Sequence, residues 1–81
     1  MPVDKLHQSF SRALGIPLER VTDDLGYNTI KEWDSVGHMA LVVELETEYG
    51  VMFDTDDILG MSSVGKARET LSRLGASFDA A

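Results

Sequence analysis

Cysteine is absent from this 81-residue chain, which excludes disulfides, thiolate metal sites and a cysteine nucleophile together. The only sulfur is in four methionines, whose thioethers cannot form thioesters. Basic residues are scarce as well: seven Lys and Arg face fourteen Asp and Glu, a formal net charge of −7. That disfavours nucleic-acid binding, whose dominant affinity term is neutralisation of phosphates by basic groups. An acidic chain is steered instead toward basic patches on other proteins. Long apolar runs are also missing. No stretch approaches the length of a membrane span, and Met1 to Phe10 carries Asp4, Lys5 and His7 where a secretory signal needs an apolar core. No membrane partner is expected, and the cytoplasm is the default location.

What is present suffices for one small domain over residues 1–81, because 43% apolar content supports a single modest core. The initial methionine and short tail suggest a free-standing protein, expected to be monomeric. Val3, Leu6, Phe10 and Leu14 recur at helical spacing before Gly15 and Pro17, which predicts a first helix from about Val3 to Leu14. Ile16 to Glu32 shows no sustained period and reads as a long loop with Val21, Leu25 and Ile30 as apolar pins and room for a short helical turn. A second helix is predicted from Asp34 or Ser35 to Tyr49, ended by Gly50 as a left-handed cap. Val51 to Phe53 reads as packed coil. Asp54 or Thr55 then caps a short helix, Asp56 to Leu59, before Gly60. Ser62 or Ser63 opens the last helix, whose face is Val64, Ala67, Leu71 and Leu74, ended by Gly75; residues 76–81 read as a frayed tail. Nothing alternates like a half-buried strand. The expected fold is therefore all-α, a four-helix bundle of three longer helices and one short one, with a long loop between the first and second.

Ser35 is the first candidate for chemistry. It begins the second helix, where unpaired backbone N–H groups and the positive end of the helix dipole favour an attached phosphate. Taken alone, Asp34-Ser35 is also an ordinary helix cap. The helix after it has two apolar series, Val36, Met39, Val43 and Leu41, Leu45, Tyr49, with Leu41, Val42 and Leu45 expected to face the bundle. Glu44 and Glu48 lie one turn apart, with Glu46 nearby and Asp34 at the helix start. Like charges at that spacing repel, so helix stability does not explain them, whereas docking onto Lys and Arg of a partner does.

The run Glu32-Trp33-Asp34-Ser35-Val36-Gly37-His38-Met39-Ala40-Leu41-Val42-Val43-Glu44-Leu45-Glu46 resembles the attachment site of acyl and peptidyl carrier proteins. The order and length of the segments match that family from the first helix to Leu74, with Val36 replacing the usual Leu after the serine. The resemblance implies that Ser35 receives 4′-phosphopantetheine from coenzyme A through a Mg²⁺-dependent phosphopantetheinyl transferase, with Asp34 flanking it. The terminal thiol of the arm supplies the sulfur that this chain lacks. It further implies no catalysis by the chain itself, and docking of acyl-loading and acyl-processing enzymes (an acyltransferase or ligase, a ketosynthase) through their basic patches. The docking residues expected on that basis are Val36, Met39, Val43, Glu44, Glu46, Glu48, Asp56 and Ile58, and Ile58 with Met61 is expected to line a groove beside the arm. Ala40, where an acid often sits, and Gly37 depart from the commoner pattern. Together with Trp33, they point toward polyketide or other specialised synthesis more than primary fatty-acid synthesis. A peptidyl or aminoacyl carrier and a non-carrier acidic helical adaptor are the alternatives.

Two other readings fail on spacing. Counting from Asp54 as the first ligand of a calcium loop puts Ile58 at position 5 and Gly65 at position 12, where oxygen ligands are needed. That leaves Asp54, Asp56 and Asp57 for helix capping and partner contact. Ser35 and His38 are one turn apart, but the chain offers neither a third group to orient the histidine nor a Gly-x-Ser-x-Gly elbow. His38 is expected instead to hydrogen-bond near the phosphate or a partner, and His7 to be a plain surface residue.

Overall fold

The computed structural model describes residues 5–76. Helix α1 spans Lys5–Leu14, α2 Ser35–Tyr49, α3 Thr55–Gly60 and α4 Val64–Arg73, and a 3-10 turn at Leu18–Arg20 interrupts the long connection after α1. This is the expected all-α arrangement of three longer helices and one short one. Among the described residues no strand forms, and Gly26 and Ser63 make an isolated antiparallel bridge. Among the described residues no helix is long and apolar enough to cross a membrane. The predicted Val3 start of α1 lies outside the described residues.

Side-chain caps set the starts of α2, α3 and α4. Asp34 Oδ1 accepts from Gly37 N–H at 2.9 Å, Asp54 Oδ1 from Asp57 N–H at 2.8 Å, and Ser63 Oγ from Lys66 N–H at 3.1 Å. Asp57 Oδ2 in turn accepts from Asp54 N–H at 3.3 Å, closing a capping box that starts α3 one residue earlier than predicted. Gly50 ends α2 with φ 64°. The end of α4 corrects the frayed-tail expectation at Ala76. With Gly75 at φ 85°, Ala76 N–H reaches back to Leu71 O at 2.9 Å and Gly75 N–H to Ser72 O at 3.1 Å, a closed helix end. Ala76 packs against the core; residues 77–81 lie outside the described range.

The core takes Leu6, Phe10 and Leu14 from α1, Leu41, Val42 and Leu45 from α2, and Val64, Ala67 and Leu71 from α4. Of the loop pins, Val21 is buried while Leu25 and Ile30 are half-buried against the core. The larger pin is Trp33, fully buried and edge-on to Phe10 with ring centroids 5.3 Å apart. Sequence reading took it only as a pathway marker.

The long loop is also held by α4. The first N–H groups of a helix have no partner within it. Here Leu25 O accepts from Val64 N–H at 2.9 Å and Asp23 O from Gly65 N–H at 3.0 Å, while Tyr27 N–H donates to Ser62 O at 2.9 Å. The Asp23 carboxylate meets His7 Nε2 at 2.8 Å and Arg68 Nη2 at 3.0 Å. His7 is thus a clasp between α1 and the loop, and its hydrogen bond, aided by Arg68, holds the Asp23 carboxyl below its ordinary value.

Gly37 lets the end of this loop close over α2. A Cβ built there would stand 2.2 Å from Glu32 O, a backbone atom that moves only if the Trp33 turn moves with it. In an open helix, Gly→Ala gains about 1 kcal/mol. Here the sign reverses: Gly37→Ala is expected to lose about 1–3 kcal/mol by overpacking against main chain, read as a lower urea midpoint at unchanged slope. A midpoint equal to or above wild type would remove the close-approach account.

Candidate functional site

Ser35 is the first residue of α2, exposed, immediately after the Asp34 cap. Its hydroxyl is available because helix capping is done by Asp34, whose carboxylate is turned into the helix end. Beside it lies a groove of about 310 Å³ lined by Tyr27, Ser35, His38, Met39, Ile58, Leu59, Met61 and Ser62, near the small end of the range for ligand pockets (about 300–1,000 Å³). Ile58 and Met61 line it as expected.

The groove walls are locked together through His38. Trp33 Nε1–H donates to His38 Nδ1 at 2.9 Å. Because Nδ1 accepts, the ring proton sits on Nε2, which donates to Ile58 O at 2.8 Å. One neutral imidazole therefore joins the loop, α2 and α3, stacked on the indole at 6.1 Å. This corrects the expected role: both ring nitrogens are committed within the fold, so neither is left for a phosphate or a partner.

The other wall, α3, is fastened from beneath. The buried Asp57 carboxylate pairs with Arg73 of α4. That hydrogen bond, helped by the Asp54 backbone N–H, holds the Asp57 carboxyl below its ordinary value against the opposing effect of desolvation.

Val36, Met39 and Val43 share an exposed face of α2 at 79%, 52% and 61% exposure. Val43 and Phe53 are absent from the groove lining: Val43 faces solvent and Phe53 is buried in the core. Leu59, exposed at 75% on the groove rim, was missed, since a leucine in a short helix reads as core. Tyr27, also on the rim, places its Oη 3.3 Å from Ser35 Oγ. No local pattern links residues eight apart across a loop.

The glutamates of α2 require the main correction. Arg12 Nε and Nη2 donate to Glu44 Oε2 at 3.1 and 2.7 Å, Arg12 Nη2 also reaches Glu48 Oε1 at 3.2 Å, and Lys5 Nζ lies 3.3 Å from Glu48 Oε2. The bond to Glu44 holds the Arg12 guanidinium above its ordinary value. Glu46 Oε2 accepts from Phe53 N–H at 2.9 Å, pinning the coil after α2. The cations that explain the spacing are thus on α1 of the same chain, and the inference that a partner must supply them does not hold. Asp56 remains exposed on α3.

An exposed serine on a helix start, beside an apolar groove and a neighbouring apolar face, is an arrangement for holding a tethered group rather than for transforming it. Residues 4–71 match the family model for the phosphopantetheine attachment site. The chain belongs to the phosphopantetheine-binding carrier family. It is also similar to an acyl carrier protein of Lactobacillus johnsonii, with 29% identity over 66 residues that cover 82% of each chain. The prosthetic group of the family is covalently attached 4′-phosphopantetheine, and this carrier holds substrates for other enzymes without being one.

The Asp57 and Asp23 pairs set a pH dependence for the carrier. A carboxyl lowered in the folded state contributes stability above its unfolded value of about 3.9 and loses it as pH falls through the folded value. The urea midpoint should therefore drop between about pH 5 and pH 3. Asp57→Asn should be less stable at neutral pH and show a shallower acid limb. An acid limb as steep as that of wild type would mean that Asp57 is not among the groups responsible.

Proposed function

We propose that Ser35 carries the 4′-phosphopantetheine arm and that the chain presents acyl intermediates to partner enzymes as thioesters on that arm. The observation that carries this reading is the exposed Ser35 hydroxyl on the first turn of a 15-residue helix, opening onto the apolar groove. A phosphodiester there lies at the positive end of the α2 dipole. Three of the other described serines are committed: Ser9 Oγ donates to Lys5 O, Ser11 Oγ to Ile16 O, and Ser63 Oγ accepts from Lys66 N–H. When bound, the arm supplies the thiol absent from the chain. Tethering replaces diffusion of the substrate by an effective concentration of about millimolar at each docked enzyme.

Docking in this reading centres on the exposed Val36, Met39 and Val43, flanked by Asp34, Asp56 and the groove rim at Ile58. The transferase and the acyltransferase or ligase and ketosynthase approach this face in turn. With Glu44, Glu46 and Glu48 engaged inside the fold and Ala40 contributing no charge, the face is more apolar than acidic. That supports partners of polyketide or other specialised synthesis over enzymes that grip a densely acidic helix. A cytoplasmic setting, where coenzyme A is available, fits the same reading.

Incubation with coenzyme A, Mg²⁺ and a promiscuous phosphopantetheinyl transferase should add the mass of one phosphopantetheine to the wild type and none to Ser35→Ala. The variant should remain folded, because Asp34 rather than Ser35 caps α2. No gain by initially unmodified wild type would move the adaptor reading forward, and modification of the variant would place the attachment on a residue other than Ser35. The groove should also shelter a short acyl chain: loading chains of increasing length should shift NMR signals of Met39, Ile58, Leu59 and Met61, leaving Val43 little changed. Shifts independent of chain length would show that the cargo stays outside.

A further inference from the structure

Tyr27 is an unusual expenditure on a loop tip: a large ring, 41% exposed, held on several sides. Its N–H is tied to Ser62 O at 2.9 Å, and the next residue, Asn28, takes φ 66° while donating to Trp33 O at 2.8 Å. Thr29 Oγ1–H closes the turn on Gly26 O at 2.6 Å. The ring then stands edge-on to His38, centroids 5.3 Å apart at 75°, and His38 is fixed by Trp33 and Ile58. A phenylalanine would satisfy every one of these contacts. The hydroxyl is what remains unaccounted for, and it ends 3.3 Å from Ser35 Oγ.

That separation is long for a pair of hydroxyls, which prefer about 2.7–2.8 Å. The contact is loose as it stands, and a better acceptor placed slightly beyond Oγ would improve it. A phosphodiester on Ser35 provides one: its anionic oxygens lie two bonds beyond Oγ, and O–H donors approach such oxygens to about 2.5–2.7 Å. Neither Lys nor Arg lines the groove, and both His38 nitrogens are committed. A neutral donor on the rim is what the site offers.

We propose that Tyr27 is a positioning residue whose hydroxyl donates to the phosphodiester of the arm on Ser35 and holds the root of the arm at the mouth of the groove. This rests on Ser35 being the attachment point. The hydrogen bond leaves the arm mobile beyond the phosphate and restricts it only at its first bonds. Because Trp33, His38 and Tyr27 form one continuous series of ring contacts, the geometry at the phosphate is inherited from the core.

The test is ³¹P NMR on holo protein prepared by transferase loading, with loading verified by intact mass, comparing wild type, Tyr27→Phe and Tyr49→Phe. Tyr27→Phe keeps the ring, so it should melt as wild type does, and only protein that intact mass shows to be fully loaded is compared. Its phosphorus resonance should shift and narrow as the phosphate is released. Tyr49→Phe removes the other tyrosine hydroxyl of the chain, at the far end of α2, and should leave the resonance where it is in wild type. Identical phosphorus shift and linewidth in wild type and Tyr27→Phe would overturn the proposal while leaving Ser35 as the attachment site. An equal change in both tyrosine variants would also overturn it, by showing a general effect of altered packing. Absence of any phosphorus on Ser35 would overturn the attachment reading and this inference together.

Discussion

A buried indole must find an acceptor for its N–H or lose the stability that its burial gains. In this carrier the acceptor is His38 Nδ1 on the first turns of α2. The consequences run outward from that bond. Trp33 brings the end of a long loop down onto the core, which places Asp34 to cap α2 and Ser35 to stand free of capping. The same imidazole passes the constraint on by donating to Ile58 O, so α3 is positioned relative to Ser35 by a side chain of α2. Tyr27 packs edge-on against His38 on the outside of this pair. The stiffness of the site comes from a neutral histidine used as a two-sided link between a loop and two helices.

Charge is arranged with similar economy. Seven more acids than bases would suggest a surface dominated by negative helices, yet the glutamates of α2 are spent on Arg12, Lys5 and the Phe53 amide. Exposed pairs of this kind are each worth little, about 0–1 kcal/mol. Shared between Arg12, Glu44, Glu48 and Lys5, they fasten α1 to α2 along a seam that also buries Leu6, Phe10, Leu41 and Leu45. What α2 shows outward near Ser35 is a strip of Val36, Met39 and Val43.

The helices and their ends were legible to within a residue because the signals are local: Asp34, Asp54 and Ser63 each as one of two adjacent cap candidates, Gly50 and Gly75 as stops, and the four-residue spacing of Leu6, Phe10 and Leu14. The position of Ser35 followed from the same signals. What escaped was everything that depends on partners distant in sequence. Arg12 meets Glu44 across 32 positions, and Asp23 meets Arg68 across 45. Trp33 bonds to a histidine only five residues on, but the contact requires the chain to fold back over Gly37, and the glycine looked like a mere departure from pattern. The Gly37 contact is steric, so no property of the side chain announces it.

The two walls of the groove differ in kind. On one side is α2, four turns long and rooted in the core through Leu41, Val42 and Leu45. On the other is a helix of six residues, too short to be stable by itself, kept in place by its capping box, the Asp57–Arg73 pair and one carbonyl bond to His38. Helical segments supported by so few interactions open at a fraction of the free energy needed to unfold a domain. Anything that pushes into the groove therefore meets an anvil on the α2 side and a sprung latch on the α3 side, and the cavity can take its width from its contents.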